Sequence, residues 1–209
     1  MARAILKVIT DGKKGLVNVK EIVTDIAQET DFIHIREKKR TAKEIIEWIS
    51  ELDLPEKLII NDRVDAALVS KVAGVHLSWH SLPLEKVKSL VPSHYLIGVS
   101  VHSVEEAVKA EKDGAHYVIF GHIYDSPSKP DTAPRGIRSL AKIVDVVSIP
   151  VIAIGGITVE KVHEVLSTGC SGIAVMSGIM SAKNPKEEAQ RFREALLSFS
   201  SLPKVSLLK

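Results

Sequence analysis

The sequence predicts an α/β protein of the (β/α)8 class, a single TIM-barrel domain over residues 1–209. Three observations carry this. Short apolar runs rich in β-branched residues alternate with longer amphipathic stretches, and the alternation repeats eight times. A chain of 209 residues with 45% hydrophobic content can bury one sizeable core. After the first strand stands ITDGKKG instead of the Gly-x-Gly-x-x-Gly of a dinucleotide-binding sheet, so the open doubly wound alternative loses its strongest signal.

The strands are expected at AILKVIT from Ala4, FIHIR from Phe32, KLIIN from Lys57, GVHLS from Gly74, YLIGVS from Tyr95, HYVIFG from His116, PVIAIGG from Pro150 and GIAVMS from Gly172. Helical spacing appears in TAKEIIEWISEL from Thr41, SVEEAVKAEKDG from Ser103, TVEKVHEVLSTG from Thr158 and PKEEAQRFREALLSF from Pro185. Several of these open on Ser or Thr, and two close on Gly, as helix caps require. Strand–helix units joined right-handedly close most simply into a barrel. SLPKVSLLK, from about residue 201, reads as a loose tail.

Composition narrows the function. Twenty-eight Lys and Arg against 26 Asp and Glu leave a net charge of +2, which supplies no broad footprint for nucleic acid or an anionic membrane. No stretch approaches the roughly 20 apolar residues of a membrane-spanning helix, so the expectation is a cytoplasmic protein with small-molecule partners. The sequence leaves the oligomeric state open, a homo-oligomer included. The single cysteine, Cys170, reads as structural.

In a barrel of this kind chemistry belongs at the carboxyl ends of the strands, and these ends are polar here. After strand two, the two-residue period puts His34, Arg36 and Lys38 on one face and Ile33 and Ile35 on the other. The apolar pair suits the helix layer, leaving a cationic face to hold phosphate or carboxylate at the mouth. A solvated basic cluster is the competing reading, and the better one for Lys39 and Arg40. Strand three ends in Asn61 and Asp62, which could bind substrate or a metal, or cap the next helix. Strands seven and eight end in Gly155-Gly156 and in Met176-Ser177-Gly178, where barrels often build a phosphate site. After strand six, His122 precedes a hydroxyl loop closed by Lys129.

The ordered stretches ITD, HIREKKR, INDRVDAAL, AGVHL, GVSVHSVEEA, DGAHYVIFG, SPSK, IPVIAIGGI and GIAVMSGI resemble the thiamin phosphate synthase superfamily from about Ile9 to Ile179. The resemblance implies that a synthase joins an aminomethylpyrimidine pyrophosphate to a thiazole phosphate with magnesium. It also implies a substrate-binding set of Arg36, Lys38, Asn61, Ser100, Ser126, Pro127, Ser128, Lys129, Gly136, Gly156, Met176 and Ser177.

Three departures point to the TenI-type branch, the thiazole tautomerases. His34 stands where the synthase pattern has glutamine, Ser81 where it has the second metal-binding Asp, and His122 where it has proline. Asp62 alone makes a poor magnesium site, since that ion prefers carboxylates together with phosphate oxygens. The resulting expectation is a metal-free, cofactor-independent isomerase that aromatises a thiazole phosphate carboxylate, with His122 as the catalytic proton carrier and His34 as second choice. The alternatives are a thiamin phosphate synthase with an altered metal shell and a non-catalytic regulatory barrel.

Overall fold

The computed structural model describes residues 3–126 and 128–201; the predicted tail beyond Ser201 lies outside the described residues. Eight parallel strands close into one barrel in sequence order, β1 pairing with both β2 and β8. They are β1 Ile5–Ile9, β2 Phe32–Ile35, β3 Leu58–Asn61, β4 Gly74–Leu77, β5 Leu96–Val101, β6 Tyr117–Gly121, β7 Val151–Ile154 and β8 Gly172–Val175. The helices between them are α1 Leu16–Ile26, α2 Ala42–Ile49, α3 Val64–Ser70, α4 Leu84–Leu90, α5 Val104–Asp113, α6 Gly136–Val146 and α7 Val162–Leu166, followed by α8 Ser177–Met180 and α9 Pro185–Ser201. The predicted single barrel is the fold observed.

Local signals act where the sequence places them. Thr41 and Glu44 form a reciprocal capping box at the start of α2, and Ser103 caps α5. α5 stops at Gly114, whose left-handed backbone suits a residue without Cβ. The stretch from Thr158 differs from the single helix expected: it opens as a 3-10 turn over Val159–Lys161 before α7, and Thr158 makes no side-chain cap.

Two apolar layers result from strand alternation. Leu6, Val8, Ile33, Ile35, Leu58 and Ile60 face the helices in the large core, whereas Ile9, Ile59, Tyr117, Ile119, Ile152 and Ala174 form a smaller cluster inside the barrel. Interior space is tight: a Cβ on Gly98 would lie 2.0 Å from the Tyr117 ring, so this glycine makes room for the tyrosine. The interior also holds Lys7, 2% exposed, its ammonium 3.8 Å from the Tyr117 ring centroid and 4.4 Å from that of Phe32. At the amino-terminal end, the Asp31 carboxylate accepts from Leu6 N–H and from Arg193 at 2.8 Å each, tying α9 to the barrel floor.

Candidate active site at the barrel mouth

The carboxyl ends of the strands surround a cavity of about 560 Å3, within the range of small-molecule sites. Of the residues expected to bind substrate, Arg36, Lys38, Asn61, Ser100, Ser126, Ser128, Lys129, Gly156, Met176 and Ser177 line it, as does His122. Gly136 does not; its N–H donates to the Ile123 carbonyl at 3.1 Å, so it holds the loop that carries the site. Pro127 lies outside the described residues.

The cations here are gathered without acid partners of their own. Arg36, Lys38 and Lys129 form no salt bridge among the described residues. Burial first, and then the charges of Arg135 and Arg36, lower the Lys129 pKa. Arg36 is aimed from the backbone: its N–H donates to the Thr10 hydroxyl at 2.9 Å, which gives the ITD stretch a structural role.

His122 is held from three sides. Its side chain is 4% exposed, its Nε2 donates to the Thr132 carbonyl at 3.0 Å, and its own carbonyl accepts from Arg135 N–H at 2.9 Å. A carbonyl can only accept, so Nε2 carries a hydrogen, and the Nε2–H tautomer presents an acceptor at Nδ1. That atom is buried with no hydrogen-bond partner among the described residues. Gly155 and Gly156 permit this packing, because a Cβ on Gly155 would lie 2.2 Å from His122 Cβ and both glycines have positive φ.

His34 belongs below the mouth. It is fully buried, absent from the cavity wall, and donates from Nδ1 to Asn61 Oδ1 at 3.1 Å. The expected cationic face therefore consists of Arg36 and Lys38, with His34 as the support of Asn61. Burial first, then the Lys7 and His76 charges, hold the His34 pKa well below its usual value. It is neutral at physiological pH and cannot add to the positive field.

Several lining residues escape a sequence reading. His76 looks internal to a strand yet lines the cavity, its Nε2 2.8 Å from Ser100 Oγ and its pKa pushed down to about 3 by burial and Lys7. His102 looks like a surface residue, but lines the cavity and donates from Nδ1 to the Gly121 carbonyl at 3.0 Å. Trp79 and His80, in the loop after β4, complete the rim, and Trp79 is 88% exposed. Strand alternation, with His76 and Ser78 on one face, was the available signal for His76; nothing local marks His102.

The residues present do not fit a resident magnesium ion. Asp62 Oδ1 already accepts from the hydroxyls of Ser78 and Ser81, and Oδ2 lies 3.5 Å from His80 Nε2. Among the described residues no three His, Cys, Asp or Glu side chains gather as a metal site. Hydroxyl donors and an imidazole are poor company for a hard cation that takes oxygen ligands.

Fold and site together define a barrel enzyme class that seats phosphorylated small molecules at the strand ends. The chain belongs to the thiamine monophosphate synthase family, whose model matches residues 6–179. It is 42% identical over 161 residues to a thiamine-phosphate synthase of Caldivirga maquilingensis, covering 77% of each chain. It is 38% identical over 192 residues to that of Clostridium acetobutylicum, covering 88% of this chain and 91% of the relative. Among solved structures it resembles a thiamine phosphate pyrophosphorylase from Pyrococcus furiosus, with 35% identity, a TM-score of 0.80, and coverage of 94% and 96%.

These likenesses overturn the expectation of a cofactor-independent thiazole tautomerase, because the relatives are named for the synthase reaction. His34 also loses its place as a reserve proton carrier, since it is enclosed beneath Asn61.

Proposed function

We propose that this chain is a thiamine-phosphate synthase with an altered metal shell, joining a pyrimidine pyrophosphate to a thiazole phosphate. One observation carries the reading: the mouth holds two adjoining cavities of about 560 and 530 Å3, with Arg36, Lys38, Asn61, Asp62 and His80 in the wall between them. Two such spaces suit a reaction of two phosphorylated partners better than rearrangement of one.

The thiazole phosphate is assigned to the main cavity. Its phosphate would meet Ser126, Ser128 and Lys129, with Gly156, Met176 and Ser177 closing around it. The pyrophosphate is assigned to Arg36 and Lys38. In the reaction the thiazole ring nitrogen forms a bond to the pyrimidine methylene carbon, and the bond from that carbon to the pyrophosphate oxygen breaks. The chain's contribution is to hold both reactants at one wall and to meet the departing negative charge with fixed cations. His122 is assigned to accepting a hydrogen bond from a bound ligand at Nδ1.

Purified protein incubated with both substrates should form thiamine phosphate and release pyrophosphate together, in equal amounts. Absence of thiamine phosphate from protein that binds both substrates would defeat the proposal.

A further inference from the structure

Asp62 lines both cavities of the mouth, and its surroundings are unusual for a metal ligand. Its backbone has φ 64, the left-handed region that a non-glycine residue seldom occupies. Such a conformation persists when neighbouring contacts over-determine it. Here the Asp62 N–H donates to the His76 carbonyl at 2.9 Å, and the following Arg63 N–H donates to the Asn61 carbonyl at 2.8 Å.

The side chain is equally committed. Ser78 and Ser81 each place a hydroxyl 2.5 Å from Oδ1. The two serines are themselves linked, Ser78 N–H donating to Ser81 Oγ at 2.8 Å and Ser81 N–H to the Ser78 carbonyl at 2.9 Å. The loop between β4 and α4 is thus a closed turn clasped onto one carboxylate oxygen. Two oxygen ligands of an octahedral magnesium, each at about 2.1 Å, stand roughly 3 Å apart with no hydrogen between them. A hydroxyl that donates straight to Oδ1 takes the place that an ion on this oxygen would need, while Oδ2 faces His80 Nε2 at 3.5 Å.

The adjoining cavity supplies charge by other means. It is lined by Arg36, Lys38, Arg40 and Arg63 together with Glu37 and Asp62. Arg40 is paired with Glu44 and Arg63 with Asp65. Arg36 and Lys38 are the cations left for a ligand.

We propose that Asp62 is a positioning residue that clasps the β4–α4 loop, and that Arg36 and Lys38 neutralise the pyrophosphate bound beside it with no divalent ion between. This rests on the phosphate assignment above, but its test needs no turnover. Inorganic pyrophosphate is titrated calorimetrically into the full chain in EDTA and again in excess magnesium, and manganese is titrated as a paramagnetic probe of metal retention.

The expected affinity for pyrophosphate in excess magnesium is no higher than in EDTA, since magnesium sequesters the free anion, and Arg36→Met lowers the affinity in EDTA by about tenfold or more. Wild-type protein retains no manganese. Asp62→Asn leaves that unchanged while shifting the emission of Trp79, measured in a Trp48→Phe background, as the clasped loop loosens. A gain of about tenfold or more on adding magnesium overturns the proposal. So do manganese retention abolished by Asp62→Asn, and failure of pyrophosphate to bind in either buffer. A protein that passes these tests yet forms no thiamine phosphate would fail the synthase reading alone.

Discussion

His122 Nε2 donates to the Thr132 carbonyl at 3.0 Å, and this leaves a buried Nδ1 in the wall of the main cavity with no partner among the described residues. A buried acceptor left unpaired has a cost of about 1–3 kcal/mol that a bound ligand can relieve.

If His122 Nδ1 accepts a hydrogen bond from the reacting ligands as the rings join, His122→Ala should lower kcat by about 10- to 10²-fold while affinity for thiazole phosphate stays within several fold. Steady-state kinetics beside direct binding separates the two effects. A variant within tenfold of wild type in kcat would assign the imidazole to packing only.

Lys129→Met should weaken thiazole phosphate binding by about 1.5–3 kcal/mol, the scale for losing a hydrogen bond to a charged group. The same change should flatten the dependence of affinity on salt, because fewer cations face the phosphate. Calorimetry at two ionic strengths reads both. Unchanged affinity would move the phosphate elsewhere in the cavity.

Gly156 cannot be probed as a simple phosphate contact. A Cβ there would lie 2.3 Å from the Asp125 carbonyl oxygen and 2.8 Å from Tyr124 Cβ, with φ at +63. Gly156→Val should therefore dislodge the His122–Asp125 segment and destabilise the fold by about 1–3 kcal/mol, with any loss of ligand affinity following from that. Thermal melts should show it before binding assays do.

Lys7 makes stability depend on pH. Burial lowers its pKa from 10.5 to about 7, with the Asp31 carboxylate opposing the shift. Between those values the unfolded chain holds a proton that the folded chain has lost, so stability rises with pH across that window by up to about 1.4 kcal/mol per pH unit. At about pH 7 and below the buried ammonium weighs on the fold most. Lys7→Met should raise the Tm, most strongly near neutrality and progressively less towards pH 10. An equal shift at all pH values would show that packing, not charge, is what changed.

Much of the architecture was legible in one dimension. The eightfold alternation predicted the barrel, the period of Ile33 and Ile35 predicted the helix-facing side of β2, and the polar end of strand two pointed to Arg36 and Lys38, to which the family resemblance added Ser126, Ser128 and Lys129. These are local signals: side-chain period and turn chemistry are properties of neighbouring residues and survive without the rest of the fold. The functional branch is not legible at the same level, because His34, Ser81 and His122 are isolated replacements in an otherwise matching chain.

What only the tertiary structure decided is which polar groups meet. His34 and Arg36 share a strand face, yet one is sealed beneath Asn61 and the other stands in the cavity wall, since barrel tilt sets the depth of each residue. His102 reaches the Gly121 carbonyl across 19 residues, and the Ser81 hydroxyl reaches Asp62 across another 19. Closure of the sheet brings these ends together, and no window of sequence contains both partners of such a contact.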